Sequence, residues 1–134
     1  MKPLFTACLA AALIAPVIAP AEDAAIEGVI SAQLDAFRAD DFATAFTYAS
    51  PMIKGMFGTP ERFGQMVRQG YPMVYRPEDV TFLDARPLGD RVQQRVMMRD
   101  TGGALHVLEY EMIETADGWQ INGVRLLRAP QVGA

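Results

Sequence analysis

The first half of the chain carries apolar residues at helical spacing. After Asp23 they recur every three or four positions, which predicts a helix over residues 24–39 with one apolar side. Asp23 stands just before this stripe and is a suitable N-cap, because a short acidic side chain accepts hydrogen bonds from the free N–H groups of a first turn. Gln33 lies within the stripe. The apolar positions are Ile26, Val29, Ile30, Leu34 and Phe37.

Two further helix starts follow. Asp40-Asp41 offers an N-cap for a short second helix, which ends at Ser50-Pro51 because the residue before a proline is driven out of the α region. Residues 52–57 could add one more turn. Thr59-Pro60-Glu61 combines an N-cap, a proline at the first helical position and an acid in the first turn, so it predicts a third helix that stops at Gly70.

The second half of the chain has the patterns of strands. Three prolines exclude helix between residues 70 and 90, which leaves two short extended segments at 73–76 and 80–86. Over residues 91–99, apolar side chains alternate with arginines, a pattern typical of a strand with one apolar and one basic face. The arginines are Arg91, Arg95 and Arg99.

The hairpin that follows this strand has a predictable register. For Val96 and Leu108 to face the same side, paired residue numbers must add to an even value, which a three-residue loop at 101–103 satisfies and a two-residue loop does not. Val96 then pairs with Leu108, and Arg95 pairs with Glu109. Opposite charges that face each other across strands stabilise by a few tenths of a kcal/mol up to about 1. The charge pattern therefore supports this register.

A second hairpin is predicted at Asp117-Gly118, with a type I′ turn in which both residues have positive φ. Beyond it the apolar phase changes after Ile121, and a bulge at Gly123 would return Val124 to the core side. Glu109 and Glu111 are predicted to face outward. The residues predicted to face inward are His106, Leu108, Tyr110, Met112, Trp119 and Ile121.

The N-terminus has the pattern of a secretory signal. Lys2 is the only charge before Glu22, a long apolar run follows it, and Ala19-Pro20-Ala21 fits the small-x-small pattern at which signal peptidase cuts. We therefore expect a cleaved signal peptide at 1–21, a single domain at 22–134, and a periplasmic or secreted protein. An uncleaved membrane anchor is the alternative. The apolar run is shorter than the about 20 residues of a spanning helix and contains Pro16, so we expect no stable membrane insertion after cleavage.

The composition limits which reactive sites and binding partners the chain could have. Cleavage would remove Cys8, the only cysteine, and with it any disulfide, thiolate nucleophile or cysteine metal ligand. The net charge of −4 becomes −5 without Lys2, which argues against nucleic acid or anionic lipid as a partner. One histidine and no carboxylates at ligand spacing argue against a metal site, and we expect no cofactor.

Several short motifs occur in a fairly specific order through nearly all of residues 22–134. They are Gln33-Leu34, Ala36-Phe37, Asp40-Asp41, Ser50-Pro51, Phe57-Gly58-Thr59-Pro60-Glu61, Phe63, Gly70-Tyr71, Tyr75-Arg76-Pro77 and Gly118-Trp119 to Val124. In this order the chain resembles a bacterial family known only as a domain of unknown function. More widely, three helices followed by a meander of strands resemble the cystatin-like α+β cone of the nuclear transport factor 2-like superfamily, which includes ketosteroid isomerases and scytalone dehydratase.

The resemblance implies three N-terminal helices packed on a curved, mainly antiparallel four-stranded sheet, whose concave face the helices close to form a pocket. A fold of this kind does not determine a function. The isomerases use a carboxylate base and hydrogen-bond donors inside the cone, and those positions have no residue-by-residue match in this chain. The enzyme assignment therefore does not transfer.

The candidate ligand-binding residues are Gln33, Tyr71, Tyr75, His106, Tyr110 and Trp119. Gln33 interrupts an apolar stripe, and its buried amide must find partners in the backbone or in a ligand. Tyr71 and Tyr75 flank Pro72 and could line the mouth of a pocket, since hydroxyls on apolar walls orient ligands. His106 is the one candidate for a catalytic base, with a hydrogen-bonded histidine at the sheet edge as the alternative.

These observations favour non-catalytic binding of a small apolar molecule or of a protein partner. A cofactor-free isomerase or dehydratase is the first alternative, with His106 or a pocket carboxylate as the base. The second is a structural module that forms a homodimer through the face carrying Arg91, Arg95, Arg99, Glu109 and Glu111.

Overall fold

Five helices precede four strands in the computed structural model of the chain, which describes residues 17–127. The helices are α1 (Pro20–Arg38), α2 (Phe42–Thr47), α3 (Pro51–Phe57), α4 (Pro60–Gly70) and α5 (Pro72–Tyr75). The strands are β1 (Asp79–Leu88), β2 (Arg91–Arg99), β3 (Leu105–Thr115) and β4 (Gly118–Leu127). They form one antiparallel sheet in the order β1-β2-β3-β4. The predicted α+β class is confirmed, with two more helices than expected.

The predicted signal peptide lies outside the described residues up to residue 16, and it stays a prediction. Helix α1 begins at Pro20, four residues before the predicted start, so Asp23 lies within the first turn and its assignment as N-cap is wrong. Proline suits the first helical position because its φ is already helical and its missing N–H would have no partner there. Within residues 17–127, no helix is long and apolar enough to cross a membrane.

The caps of the short helices follow the sequence signals. Asp41 accepts a hydrogen bond from the backbone N of Thr44 at 3.1 Å, and Thr59 accepts one from the backbone N of Arg62 at 3.2 Å. Each cap satisfies one of the donors that a helix leaves free in its first turn. Both predicted starts are thereby confirmed.

Helix α5 occupies residues that were predicted to be extended. Pro72 is its first residue, and the Tyr71 carbonyl accepts hydrogen bonds from Val74 N at 2.9 Å and Tyr75 N at 3.1 Å. A proline excludes a helix that runs through it but not a helix that starts with it. The prediction for 73–76 was wrong because Pro72 initiates a helical turn.

The first predicted register is confirmed, with Val96 paired to Leu108 and Arg95 to Glu109. The Asp100 backbone N donates to the Ala104 carbonyl at 2.9 Å, which closes a three-residue loop over 101–103. Gly103 has φ of 88°, a value that a side chain would disfavour. Turn geometry and the buried face thus select the same pairing.

The second hairpin has the predicted place but a different turn. Thr115 pairs with Gly118, so Ala116 and Asp117 are the turn residues, and Gly118 alone has positive φ, 92°, among residues 104–127. The expected type I′ turn, with positive φ at Asp117 as well, is wrong. The Thr115 side chain stabilises the turn observed instead, because its Oγ1 accepts from Asp117 N at 3.1 Å.

A bulge lies next to Gly123, as predicted. Glu111 pairs with Gly123 whereas Met112 pairs with Ile121, so Asn122 is the extra residue of β4. The bulge restores the alternation, because Val124 then pairs with the buried Tyr110.

The helices cover one face of the sheet, and the core lies between the two layers. From α1, Ile26, Ile30 and Phe37 are completely buried. From the sheet, the predicted inward positions Leu108, Tyr110 and Met112 are equally buried, as is Val96. Full burial of one such apolar side chain stabilises the fold by about 1.5–3 kcal/mol. The apolar stripe of α1 and the alternation of β3 therefore determine how the layers meet.

The other face of the sheet carries the predicted charges. Glu109 is held between strands β2 and β4, with its Oε2 3.3 Å from Arg95 Nε and its Oε1 2.7 Å from an Arg125 amino nitrogen. Only 3% of the Glu109 side chain is exposed. Two arginines therefore shield this carboxylate on the face that no helix covers. Dimerisation through this face stays a prediction.

Candidate functional site

An apolar cavity of about 190 Å³ lies between the helices and the β4 edge of the sheet. Its walls come from α1, from the consecutive helices α3, α4 and α5, and from β4 at the other end of the described chain. Fourteen of the described residues line it, and among these only Gln33 and Tyr71 have polar side chains. The remaining lining is aliphatic, aromatic, methionine or glycine, so the cavity has the apolar character typical of small-molecule sites.

Aromatic rings form much of the wall. The ring centroid of Phe63 on α4 lies 5.9 Å from that of Phe37 on α1 and 5.7 Å from that of Phe57 on α3. Phe37 is fully buried and Phe63 nearly so. Contacts of this kind hold the three helices in one arrangement and keep the wall rigid.

The cavity is left open at a place where two of its lining residues are small. Ala49 and Gly123 line the cavity with almost no side chain, and a Cβ added at Gly123 would meet no atom within 4 Å. The neighbouring backbone is nevertheless held firmly, because Ser50 N donates to the Ile121 carbonyl and Ile121 N donates to the Tyr48 carbonyl, both at 2.8 Å. Segment 48–50 is thereby hydrogen-bonded to β4, while the small side chain of Ala49 leaves space for the cavity.

Gln33 is the buried polar group of the wall, with 3% of its surface exposed. Its Nε2 donates a hydrogen bond of 3.1 Å to the Ala45 carbonyl. A carbonyl can only accept, so the amide nitrogen must be the atom that faces Ala45. Within the described residues, Oε1 accepts no hydrogen bond.

Tyr71 closes the cavity on the side of β4. Its hydroxyl donates to the Val124 carbonyl at 3.3 Å and so connects the end of α4 with the strand. The ring lines the cavity beside Val124, and Tyr71 is partly exposed. The predicted position of Tyr71 at a pocket mouth agrees with this geometry.

Helix α3 forms the outer rim. It contributes Ile53, Met56 and Phe57 to the lining, although none of its seven residues is fully buried. Met56 has 65% of its surface exposed, and the neighbouring Met52 has 53%. The rim is therefore apolar, partly exposed and rich in flexible methionine side chains, which adapt to irregular shapes.

Tyr75 does not line the cavity. Its hydroxyl donates to Asp40 at the end of α1, and the Arg76 guanidinium lies 3.9 Å from its ring centroid and 3.0 Å from the Asp40 carboxylate. The hydrogen bond from Tyr75, followed by the one from Arg76, lowers the pKa of Asp40. The same bond to Asp40 raises the pKa of Tyr75. This cluster fastens α5 to α1.

His106 also lies away from the cavity, at the end of the β2–β3 hairpin. Its Nε2 is 2.7 Å from Asp100 Oδ2, while Asp100 Oδ1 accepts from Gly102 N and Ala104 N at 2.9 Å each. The bond with His106 is the main reason that the pKa of Asp100 is lowered. The pair organises the loop, which agrees with a hydrogen-bonded histidine at the sheet edge.

Tyr110 and Trp119 are likewise separate from the cavity. Tyr110 is completely buried, its hydroxyl has no partner among the described residues, and burial raises its pKa. Trp119 lines a separate, more polar groove together with Tyr48, Lys54 and Asp117. Of the six candidate residues, the fold brings Gln33 and Tyr71 together and leaves the other four elsewhere.

Sequence reasoning missed the α3 contribution to the site. Ile53, Met56 and Phe57 were assigned to a possible extra turn without a binding role. The Ser50-Pro51 pair that was used to end α2 is also the start signal of α3, with Ser50 as N-cap and Pro51 as its first residue. Within residues 17–127, no group of three or more His, Cys, Asp and Glu side chains could hold a metal ion.

Comparison with known proteins adds a family and a structural likeness. The family described as domain of unknown function DUF4864 matches residues 19–134. No curated protein matches the chain. Among solved structures, a phospholipid-binding protein from Ralstonia solanacearum in complex with a phospholipid is similar, with 15% sequence identity and a TM-score of 0.47. That likeness covers 78% of this chain and 77% of the other.

Proposed function

Because the chain belongs to the DUF4864 family, a domain of unknown function, we propose its function from the cavity: it binds a small apolar or amphipathic molecule without catalysing a reaction. The observation that carries the proposal is the apolar cavity of about 190 Å³ beneath an exposed methionine rim. The narrower resemblance found in the sequence agrees with the family match. Membership of the nuclear transport factor 2-like superfamily and a periplasmic or secreted location are part of the proposal.

The size of the cavity suits one ring or a short length of alkyl chain. An apolar cavity of about 150 Å³ in another protein takes up benzene, so this one has room for a molecule of that size. A longer ligand would extend past Met56, where the rim is open to solvent. Transfer of such a molecule from water to apolar walls is favourable by roughly 25 cal/mol per Å² of apolar surface.

The lining also supports binding over catalysis. Within the part of the chain that the structure describes, it contains no aspartate, glutamate, histidine, lysine or arginine, and Tyr71 is the only ionisable side chain. General acid–base catalysis needs a group within hydrogen-bond reach of the reacting atom whose pKa lies near the working pH. Neither His106, the residue considered as a catalytic base, nor the Asp40 carboxylate lines the cavity.

Benzene is a direct probe of this proposal. At ten times its dissociation constant, a ligand that binds only the folded protein adds about 1.4 kcal/mol to the free energy of unfolding. We expect benzene to raise the melting temperature and to shift NMR signals of Ile53, Val67 and Val124 methyl groups. Failure of benzene to do either in the wild-type protein would contradict the proposal.

A pair of variants on α4 localises the effect. Val67 lines the cavity and is 5% exposed, so Val67→Phe should fill it and abolish the response to benzene. Gln65 lies on the exposed side of the same helix, so Gln65→Phe introduces the same ring without entering the cavity. The response should persist in Gln65→Phe, and also in His106→Ala and Trp119→Ala. An equal loss in both phenylalanine variants would place the binding elsewhere.

A further inference from the structure

Gln33 and Tyr71 give the cavity a definite hydrogen-bonding character. Gln33 Nε2 is used by the Ala45 carbonyl, which leaves Oε1 as the free polar atom of a side chain that is 97% buried, since 3% is exposed. An amide oxygen has two lone pairs and accepts hydrogen bonds only. Oε1 is not one of the fully buried, unpartnered atoms of residues 17–127, so it stays accessible at the cavity wall. An occupant that displaces water from this atom must donate to it, or the acceptor loses a hydrogen bond.

Tyr71 has the same preference. Its hydroxyl carries one proton, and that proton is directed at the Val124 carbonyl 3.3 Å away. The lone pairs of the phenolic oxygen remain able to accept. The two polar side chains of the lining therefore both present acceptors.

Charge limits the donor further. No carboxylate of residues 17–127 lines the cavity, so an ammonium group would lose its hydration there without gaining a counter-ion from them. No lysine or arginine of the same residues lines it either, so a carboxylate ligand would also lack a counter-ion. Moving an unpaired charge out of water into an apolar site is strongly unfavourable.

From this geometry we infer that the ligand is a neutral alcohol, with an apolar body in the cavity and its hydroxyl donating to Gln33 Oε1. The inference rests on the proposed binding function and specifies its ligand class. A ketone of the same shape would place an acceptor against an acceptor. The site thus discriminates between alcohol and ketone because the ketone has no proton to donate, and not because of a difference in size.

Cyclohexanol and cyclohexanone test this, because they have the same ring and differ in whether the oxygen carries a proton. NMR titration of the full-length protein should give a dissociation constant about fivefold lower for cyclohexanol, the scale of one buried hydrogen bond. In Gln33→Met, which removes the acceptor and keeps the length of the side chain, the preference should fall below twofold. The Ala45 carbonyl keeps a partner in this variant, since Tyr48 N donates to it at 3.3 Å.

A second variant guards against local damage at Gln33. Tyr71→Phe keeps the ring and removes the phenolic oxygen, the second acceptor of the lining, so it should reduce the preference for the alcohol less than Gln33→Met does. Tyr75→Phe, outside the cavity, is its matched control and should retain the preference. Equal affinities for cyclohexanol and cyclohexanone in a wild-type protein that binds benzene would overturn this inference alone. Absence of benzene binding would instead overturn the proposed function.

Discussion

The Ser50 hydroxyl donates a hydrogen bond of 2.8 Å to Asn122 Oδ1, across 72 positions of the chain. Ser50 is at the same time the N-cap of α3, and Asn122 is the extra residue of the β4 bulge. Asn122 Nδ2 continues the chain of hydrogen bonds to Glu111 Oε2 at 2.7 Å. The rim helix of the cavity is thereby fastened to the strand that forms the opposite wall.

Ser50→Ala should destabilise the protein by about 2–4 kcal/mol. Loss of a helix cap costs about 1 kcal/mol, and a buried Asn122 oxygen left without a partner costs about 1–3 more. Urea denaturation measures the change. Thr59→Ala removes the cap of α4, for which the structure records a bond to Arg62 N, and should cost only about 1 kcal/mol. Equal losses in the two variants would mean that the bond to Asn122 adds nothing.

Glu109→Gln should lower the free energy of unfolding by about 2 kcal/mol. The carboxylate is 3% exposed and accepts charged hydrogen bonds from Arg95 and Arg125, each of which is stronger than a neutral bond. The two arginines are partly exposed, so water takes over part of their solvation and limits the loss. Glu114→Gln on the exposed part of the same strand is the control and should change stability by less than about 0.5 kcal/mol. A neutral Glu109→Gln variant would contradict the expected role of the arginine pair.

Acid should weaken the fold through Asp100. His106 lowers the pKa of this carboxyl in the folded state, so the stability it contributes is present above the pKa of the unfolded chain, about 4, and is lost as the pH falls through the lower folded value. Below about pH 4, the urea concentration at the unfolding midpoint should therefore decrease as the pH falls. Asp100→Asn should make this decrease smaller. Asp90→Asn, at a side chain that is 95% exposed, is the control. An unchanged acid slope in Asp100→Asn would show that this pair does not contribute.

Backbone amides of α3 should exchange with solvent faster than those of α1. Helix α3 has no fully buried residue, whereas α1 buries six, and local opening free energies follow the buried apolar contacts of a segment. Hydrogen exchange by mass spectrometry checks this in the free protein. Addition of benzene should slow exchange in α3 and leave the β1–β2 hairpin unchanged. Slower exchange in α3 than in α1 before any ligand is added would contradict the expectation that the less buried helix opens more readily.

The register of the β2–β3 hairpin was predictable because two independent requirements agreed. The alternation of apolar residues and the Arg95–Glu109 charge pair both needed an even register, and a three-residue loop ending in glycine meets that need. The turn of the β3–β4 hairpin was less predictable. Asp-Gly fits two turn types, and the Thr115 side chain selected the one with positive φ only at Gly118.

The candidate site was predictable only in part. Gln33 was recognisable as a polar residue in an apolar stripe, and Tyr71 as a hydroxyl at the end of a helix. From their residue types, Tyr75 and His106 were equally good candidates. In the fold, however, Tyr75 is hydrogen-bonded to Asp40, and His106 is hydrogen-bonded to Asp100. A pattern of residue types does not say which polar groups will satisfy one another.

By itself the sequence determined the α+β class, the helix caps at Asp41 and Thr59, and the pairing of β2 with β3. These depend on short-range periodicity, capping and turn geometry, which act between residues close in the chain. Only the tertiary structure decided where the cavity lies. Ala49 and Gly123, 74 positions apart by their numbers, both line it and contribute too few side-chain atoms to fill the space. Packing between distant segments is a property of the folded chain, because no local pattern specifies the volume left between them.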